Sequence, residues 1–300
     1  FIFINLVTKL IIMKEILRTV LRSLLNEEID IVSVEYVSGG CINDAYCVTD
    51  DNKRKFFVKA NYSKRYPDMF ETEKHGLELL KAKSLFNIPN IIGVYYYDDR
   101  AFIIMEYISR GEVKSCFWQD FGRKLAIMHR QSEDYFGLDI DNYIGSLRQI
   151  NRKHSNWIDF FVEERINKQL QYGIDNGTIE KDCLRIFERF TERLDKIFYV
   201  DKSSLLHGDL WSGNYMVDSG GDATIIDPAV YYGYREMDIA MTRLFGGFPQ
   251  QFYDSYNEEY PFDYGWEERI DFCNVYPLLV HANLFGYSYL RQAKVIASRL

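Results

Sequence analysis

Residues 205–214 read LLHGDLWSGN, and thirteen residues after Asn214 comes Asp227, in the segment TIID. A site that moves a phosphoryl group needs one carboxylate beside the acceptor hydroxyl and hard oxygen ligands for magnesium. The run H-G-D-x-x-x-x-N followed by I-D has the spacing of a phosphotransfer catalytic loop, H-R-D-x-x-x-x-N, with its later metal-binding aspartate. On that reading Asp209 is the base or hydroxyl-orienting group, and Asn214 and Asp227 hold Mg2+. Each residue alone would pass for a turn or cap residue, since Asp, Asn and Gly populate every loop. The set carries the argument.

Such a set must be positioned by its neighbours. NYMVDSGGDATIID reads as a β-hairpin; with Gly220 and Gly221 as a two-residue turn, 219 pairs with 222, 217 with 224 and 215 with 226, which places Asn214 opposite Asp227. Upstream, the strand KFFVKA presents Lys59 where it would meet the α- and β-phosphates of ATP. In the helix expected over 69–83, Met69, Phe70, Leu77 and Leu80 form one apolar stripe with Glu73 in its middle. A carboxylate so placed needs a partner, and Lys59 is the expected one. In SGGCINDAY, residues Gly39, Gly40, Cys41, Ile42 and Asn43 form a candidate phosphate-covering loop, although a Gly-Gly hairpin turn would look the same. In AFIIMEYISRGE, Met105, Glu106, Tyr107 and Ile108 are the expected hinge that offers backbone groups to adenine.

The whole chain is compatible with these parts. Three hundred residues, 47% hydrophobic and 16% aromatic, can bury a full core arranged as one large domain or two unequal lobes sharing a cleft. Strand-like segments fill 31–107, interrupted by one helix. Helical spacing dominates afterwards, over 117–131, 157–173, 179–198 and the aromatic-rich C-terminal third. The expected fold class is α+β: a small β-rich ATP-binding lobe over 1–107 with one buried-face helix, and a larger helical catalytic and substrate-binding lobe over 108–300. A net charge of −8 without clustered Lys and Arg argues against nucleic acid and anionic membranes as partners. Five scattered cysteines without a CxxC pair argue against a disulfide framework or a zinc site and for a reducing compartment. FIFINLVTKLII is too short to span a bilayer and lacks a cleavage site, so residues 1–12 read as a possible extension before Met13, and the expected location is cytoplasmic.

Taken together, LLHGDLWSGN, IIDPAVYYGYREMDIAMTRLFGGF, HANLFG, FGLDIDNYIGSLRQIN and WIDFFVEER resemble the fructosamine or ketosamine kinases, a family with a protein-kinase-like fold related to aminoglycoside and choline phosphotransferases. The resemblance runs from about Met13 to the C-terminus. It implies ATP-dependent phosphorylation of O3 of a ketosamine, small or protein-bound, by an enzyme expected to be monomeric. The resulting 3-phosphate is unstable and releases the amine, so the net effect is deglycation. It also implies that Asp209 is the catalytic base, that Trp211 and His281 face the substrate, and that Asp238 anchors the catalytic loop through hydrogen bonds. Two rival readings stand beside it: a phosphotransferase acting on an aminoglycoside or choline, whose catalytic set would be the same, and a silent nucleotide-binding module, which would have no need of Asp209.

Overall fold

The structure is a computed structural model and describes residues 2–38 and 42–300, apart from the side chains of residues 2–9. The chain packs as two compact units, residues 1–75 with 88–110 and residues 76–87 with 111–300. The sequence reading set its boundary after residue 107; residues 76–87, in the second half of a helix and the loop after it, pack with the later unit.

The first unit is an antiparallel sheet of β1 (Ile31–Tyr36), β2 (Asp44–Asp50), β3 (Lys55–Tyr62), β4 (Ile91–Tyr97) and β5 (Arg100–Glu106), in the order β1-β2-β3-β5-β4. Between β2 and β3 the DDNKR turn is closed by Asp50, whose Oδ1 accepts from Arg54 N at 2.7 Å and whose Oδ2 accepts from Arg54 Nε at 2.6 Å. Helix α1 (Ile2–Leu25), which the sequence reading left unassigned, lies on this sheet. Its Met13, Leu17, Val20 and Leu21 pack with Val48, Phe56, Val58, Phe102 and Ile104 in one buried cluster. Alternation along β3 sends Phe56, Val58 and Ala60 into that cluster, so Lys59 emerges on the opposite face of the sheet.

Helix α2 (Met69–Lys83) occupies the expected span, with Met69, Phe70, Leu77 and Leu80 buried. The second unit continues with α3 (Phe117–His129), the small pair β6 (Asn142–Ile144) and β7 (Leu147–Gln149), α4 (Trp157–Phe160), α5 (Asn167–Asp175) and α6 (Leu184–Thr191). A π-helical turn, Phe161–Ile166, joins α4 to α5 within the motif WIDFFVEER. It seats Arg165 fully buried, its guanidinium 4.1 Å from the Tyr231 ring centre and its Nη2 donating to Asn151 Oδ1 at 2.7 Å. Then come β8 (Ser204–Leu206), β9 (Tyr215–Val217), β10 (Ala223–Ile225), β11 (Tyr231–Gly233) and the helices α7 (Glu236–Leu244), α8 (Gln250–Glu259), α9 (Trp266–Cys273), α10 (Val275–Phe285) and α11 (Tyr287–Ala297). Cys47, Cys116, Cys183 and Cys273 are free thiols. Among the described residues no helix is long and apolar enough to cross a membrane.

The hairpin corrects the sequence reading by one residue. Val217 pairs with Ala223, Met216 with Thr224 and Tyr215 with Ile225, so Asn214 stands opposite Ile226, whose N–H donates to Asn214 O at 3.0 Å. The turn holds three residues instead of two, because Asp218 captures it: its Oδ1 accepts from Gly220 N at 2.9 Å and Asp222 N at 3.0 Å. Gly221 supplies the left-handed residue that such a loop requires, at φ 79°. Asp227 therefore lies one residue past the paired position.

Candidate active site

Strand β8, fully buried and paired with β11, delivers the chain to His207 and Asp209. The turn that follows is fixed from two sides. Asp238, buried near the start of α7, accepts from His207 N at 2.7 Å through Oδ2 and from Gly208 N at 2.9 Å through Oδ1. The His207 side chain spans to the hairpin, its Nε2–H donating to Ile226 O at 3.0 Å, while Nδ1 accepts from Asp209 N at 3.3 Å. Ala229 N donates to His207 O at 2.9 Å, which ties the segment after Asp227 to the same turn. Gly208 has φ 83°, and a Cβ there would stand 2.0 Å from Ala229 O, so no other residue fits.

Asn214 Nδ2 donates to both the backbone O and the carboxylate Oδ2 of Asp209, each at 2.8 Å. The polar residues that end the buried strand are thus bonded within the turn, to Asp238 or to the segment 226–229. Burial pushes the Asp209 carboxyl up to about 7, the Asn214 bond holds it down in part, and the charges of Asp227 and Asp238 push it further up. Asp227 itself adopts the left-handed region at φ 55°, a conformation uncommon outside glycine and found where the surrounding structure imposes it.

Lys59 and Glu73 meet as expected in the first unit, Nζ to Oε1 at 2.6 Å, both side chains about nine-tenths buried. Of the candidate phosphate loop, Gly39, Gly40 and Cys41 lie outside the described residues; Ile42 is half-buried, and Asn43 Oδ1 accepts from Asn61 Nδ2 at 3.2 Å. At the expected hinge, Met105 is buried within β5, and the Glu106 carboxylate accepts from Asn90 Nδ2 at 2.6 Å. Lys55 Nζ lies 5.4 Å from the Tyr107 ring centre, and Ile108 is half-buried. Trp211 is partly exposed beside Gly213, where a Cβ would strike its ring at 2.4 Å. His281 Nδ1–H donates to Pro277 O at 2.8 Å, and burial lowers the pKa of its imidazole.

Sequence reasoning missed His129. It ends α3 fully buried, with Nε2 3.2 Å from Asp238 Oδ2 and Nδ1 2.8 Å from the Tyr256 hydroxyl. The only trace of it in the sequence is a histidine at the end of an amphipathic helix, with nothing to reveal a partner 109 residues away. Burial holds the His129 pKa below 6.5 against the opposing pull of Asp238. A histidine with a depressed folded-state pKa stabilises the fold above the unfolded value, and that contribution disappears as pH falls through the folded one. Thermal melts should therefore show stability declining below about pH 6.5, the unfolded value. In His129→Gln the decline should be shallower; an identical pH profile would exclude His129 as a source.

Beside a carboxyl raised first by burial and then by the charges of Asp227 and Asp238 stand two hard oxygen donors, the Asp227 carboxylate and the Asn214 carbonyl, and that donor set suits magnesium. The Asn214 amide has its nitrogen turned to Asp209, which leaves the oxygen as its ligand end. Another cluster among the described residues, His154, Glu163 and Glu164, is of a different kind. There Glu164 Oε1 is already compensated by Arg152 Nε at 2.8 Å and His154 Nε2 at 3.1 Å.

Comparison with known proteins supplies independent evidence. The family model for fructosamine kinase matches residues 13–300. A Vibrio parahaemolyticus protein carrying the name probable ketoamine kinase is 38% identical over 268 residues, 88% of this chain and 91% of that protein. A chloroplastic protein-ribulosamine 3-kinase of Oryza sativa subsp. japonica is 38% identical over 280 residues, 89% of this chain and 78% of that one. The crystal structure of a candidate fructosamine-3-kinase from Haemophilus somnus superposes with a TM-score of 0.84 at 30% identity, covering 94% of this chain and 96% of that one.

Proposed function

The chain belongs to the fructosamine kinase family, and from that premise we propose that it phosphorylates O3 of a ketosamine at the expense of ATP, with Asp209 as the base. The observation that carries this reading is the pair of hydrogen bonds that Asn214 Nδ2 donates to Asp209, one to its backbone O and one to Oδ2, which orients one carboxylate and one amide oxygen from a single turn. Asp209 accepts the proton of the sugar hydroxyl, whose oxygen forms the new bond to the γ-phosphorus as the bond to the ADP oxygen breaks. A carboxyl poised near neutrality suits that role, because it is both ionised in useful amount and basic enough to accept. Asn214 and Asp227 would hold Mg2+, which when bound neutralises charge on the transferring phosphoryl group. Lys59, oriented by Glu73, serves the α- and β-phosphates; Met105 to Ile108 offer the adenine its backbone partners, and Gly39 to Asn43 cover the phosphates. Trp211 and His281 contact the sugar-amine substrate. The 3-phosphate so formed breaks down and frees the amine, whether that amine is a small molecule or a protein lysine. The expected setting is a monomer in the cytoplasm, acting without nucleic acid or membrane.

The choice among acceptors is open to a direct experiment. Incubation with Mg-ATP and a panel of fructosamine, ribulosamine, aminoglycoside and choline acceptors, followed by phosphorus NMR, should yield a sugar 3-phosphate signal with ketosamines alone. Transfer confined to choline or an aminoglycoside would overturn the assignment.

A further inference from the structure

Beyond Trp211 the rings continue. Phe245, at the end of α7, lies 5.9 Å from Trp211 between ring centres and 4.8 Å from His281. His281 is in turn 5.5 Å from Phe285, one turn along α10, and 5.2 Å from Tyr289 on α11. Three stretches well separated in sequence, at 211, 245 and 281–289, thus contribute one connected row of rings, beginning two residues from Asp209. The packing differs from that of the neighbouring core, where Phe121 and Phe252 are fully buried. Here Trp211, Phe245, His281 and Tyr289 are each partly open to solvent, and Phe285 at the outer end is 52% exposed. Rings that serve only packing are not ordinarily left half open in contiguous sets.

We propose that Phe245, His281, Phe285 and Tyr289 extend Trp211 into an aromatic subsite for the amine half of the substrate, favouring a protonated secondary amine with an apolar or aromatic substituent. The inference rests on the acceptor role given to Asp209 above. Its occupant is set by charge complementarity and by continuity with the catalytic turn. The faces of Trp, Tyr and Phe attract a cation, and the amino nitrogen of a ketosamine is a protonated secondary amine at neutral pH. His281 does not oppose it: with Nδ1–H committed to Pro277 O, the neutral ring keeps a lone pair on Nε2 and carries no charge to repel the ammonium. The exposed edge at Phe285 lets the substituent lead outward, so a longer amine does not block the sugar's approach to Asp209.

The test compares kcat and KM for two fructosamines, one derived from benzylamine and one from glycine, in wild type, Phe285→Ala, Phe285→Leu and Tyr289→Ala. Tyr264→Ala, at a fully exposed ring, serves as the control. Wild type should favour the benzyl substrate, and the Phe285→Ala and Tyr289→Ala variants should raise its KM roughly 5- to 10-fold with kcat nearly constant, while the KM of the glycine substrate, which shares the ammonium but lacks the ring, rises by a smaller factor. Phe285→Leu, which keeps apolar bulk without the ring, should fall between. Turnover of both substrates with the same KM ratio in wild type and variants would overturn the aromatic subsite alone. Absence of turnover with any ketosamine in wild type would overturn the parent reading and the subsite with it.

Discussion

Asp209→Asn is expected to reduce turnover by about 10³- to 10⁴-fold while the affinity for ATP stays close to that of wild type. The substitution keeps the shape of the side chain and an oxygen able to accept from Asn214 Nδ2, so the turn should retain its geometry. What disappears is the proton acceptor. The environment that makes Asp209 reactive is also costly to the fold: its folded-state pKa is raised to about 7, so its contribution to stability is fully present below the unfolded value of 3.8 and is lost as pH rises through 7. The Asn variant escapes that loss and should melt at a higher temperature than wild type near pH 8, the sign expected of a residue kept for chemistry at the expense of stability. Steady-state rates, nucleotide titration and melting curves together check the claim. A variant within tenfold of wild-type turnover would rule out Asp209 as the base.

Which parts of this site could be read in advance depended on whether local chemistry or tertiary context decided them. The pairing of Lys59 with Glu73 was legible because two periodicities constrain it: alternation places Lys59 off the core face of β3, and a helical stripe isolates one glutamate among three. That Asp209 and Asn214 form one set was legible from the spacing H-G-D-x-x-x-x-N, whereas the bond from Asn214 Nδ2 to the Asp209 carboxylate was not foreseen. The hairpin register was not. Gly220-Gly221 suggested a two-residue turn, but the Asp218 carboxylate bonded the loop amides and drew Ser219 into the turn, a choice made by one side chain against a backbone preference. Helix α1 went unread for a different reason. Its apolar run was weighed only against export and membrane patterns, although Met13, Leu17, Val20, Leu21 and Leu24 recur at helical intervals, and no acidic residue marks its first turn. His129 and the contacts that join Trp211 to Phe245 and Phe245 to His281 depend on residues brought together from distant segments, which periodicity cannot register.

Asp238 should prove the most sensitive position outside the acceptor turn itself, and the reason is an inventory of bonds. One buried carboxylate satisfies the N–H groups of two consecutive residues, His207 and Gly208, and also meets His129 Nε2. In Asp238→Ala those two backbone donors, on buried His207 and half-buried Gly208, lose their acceptor, at a cost of about 1–3 kcal/mol each. Destabilisation of roughly 2–6 kcal/mol follows, measurable by urea titration. Asp238→Asn is the sharper probe, because it preserves volume and one acceptor oxygen but turns an NH2 group toward a backbone N–H. That variant should remain folded while the turn holding Asp209 loses one of its two anchors, and kcat should fall further than KM for either substrate rises. A merely structural residue would change stability without that split. If Asp238→Asn melted several degrees lower yet kept wild-type kcat, the carboxylate would support the fold without positioning the base.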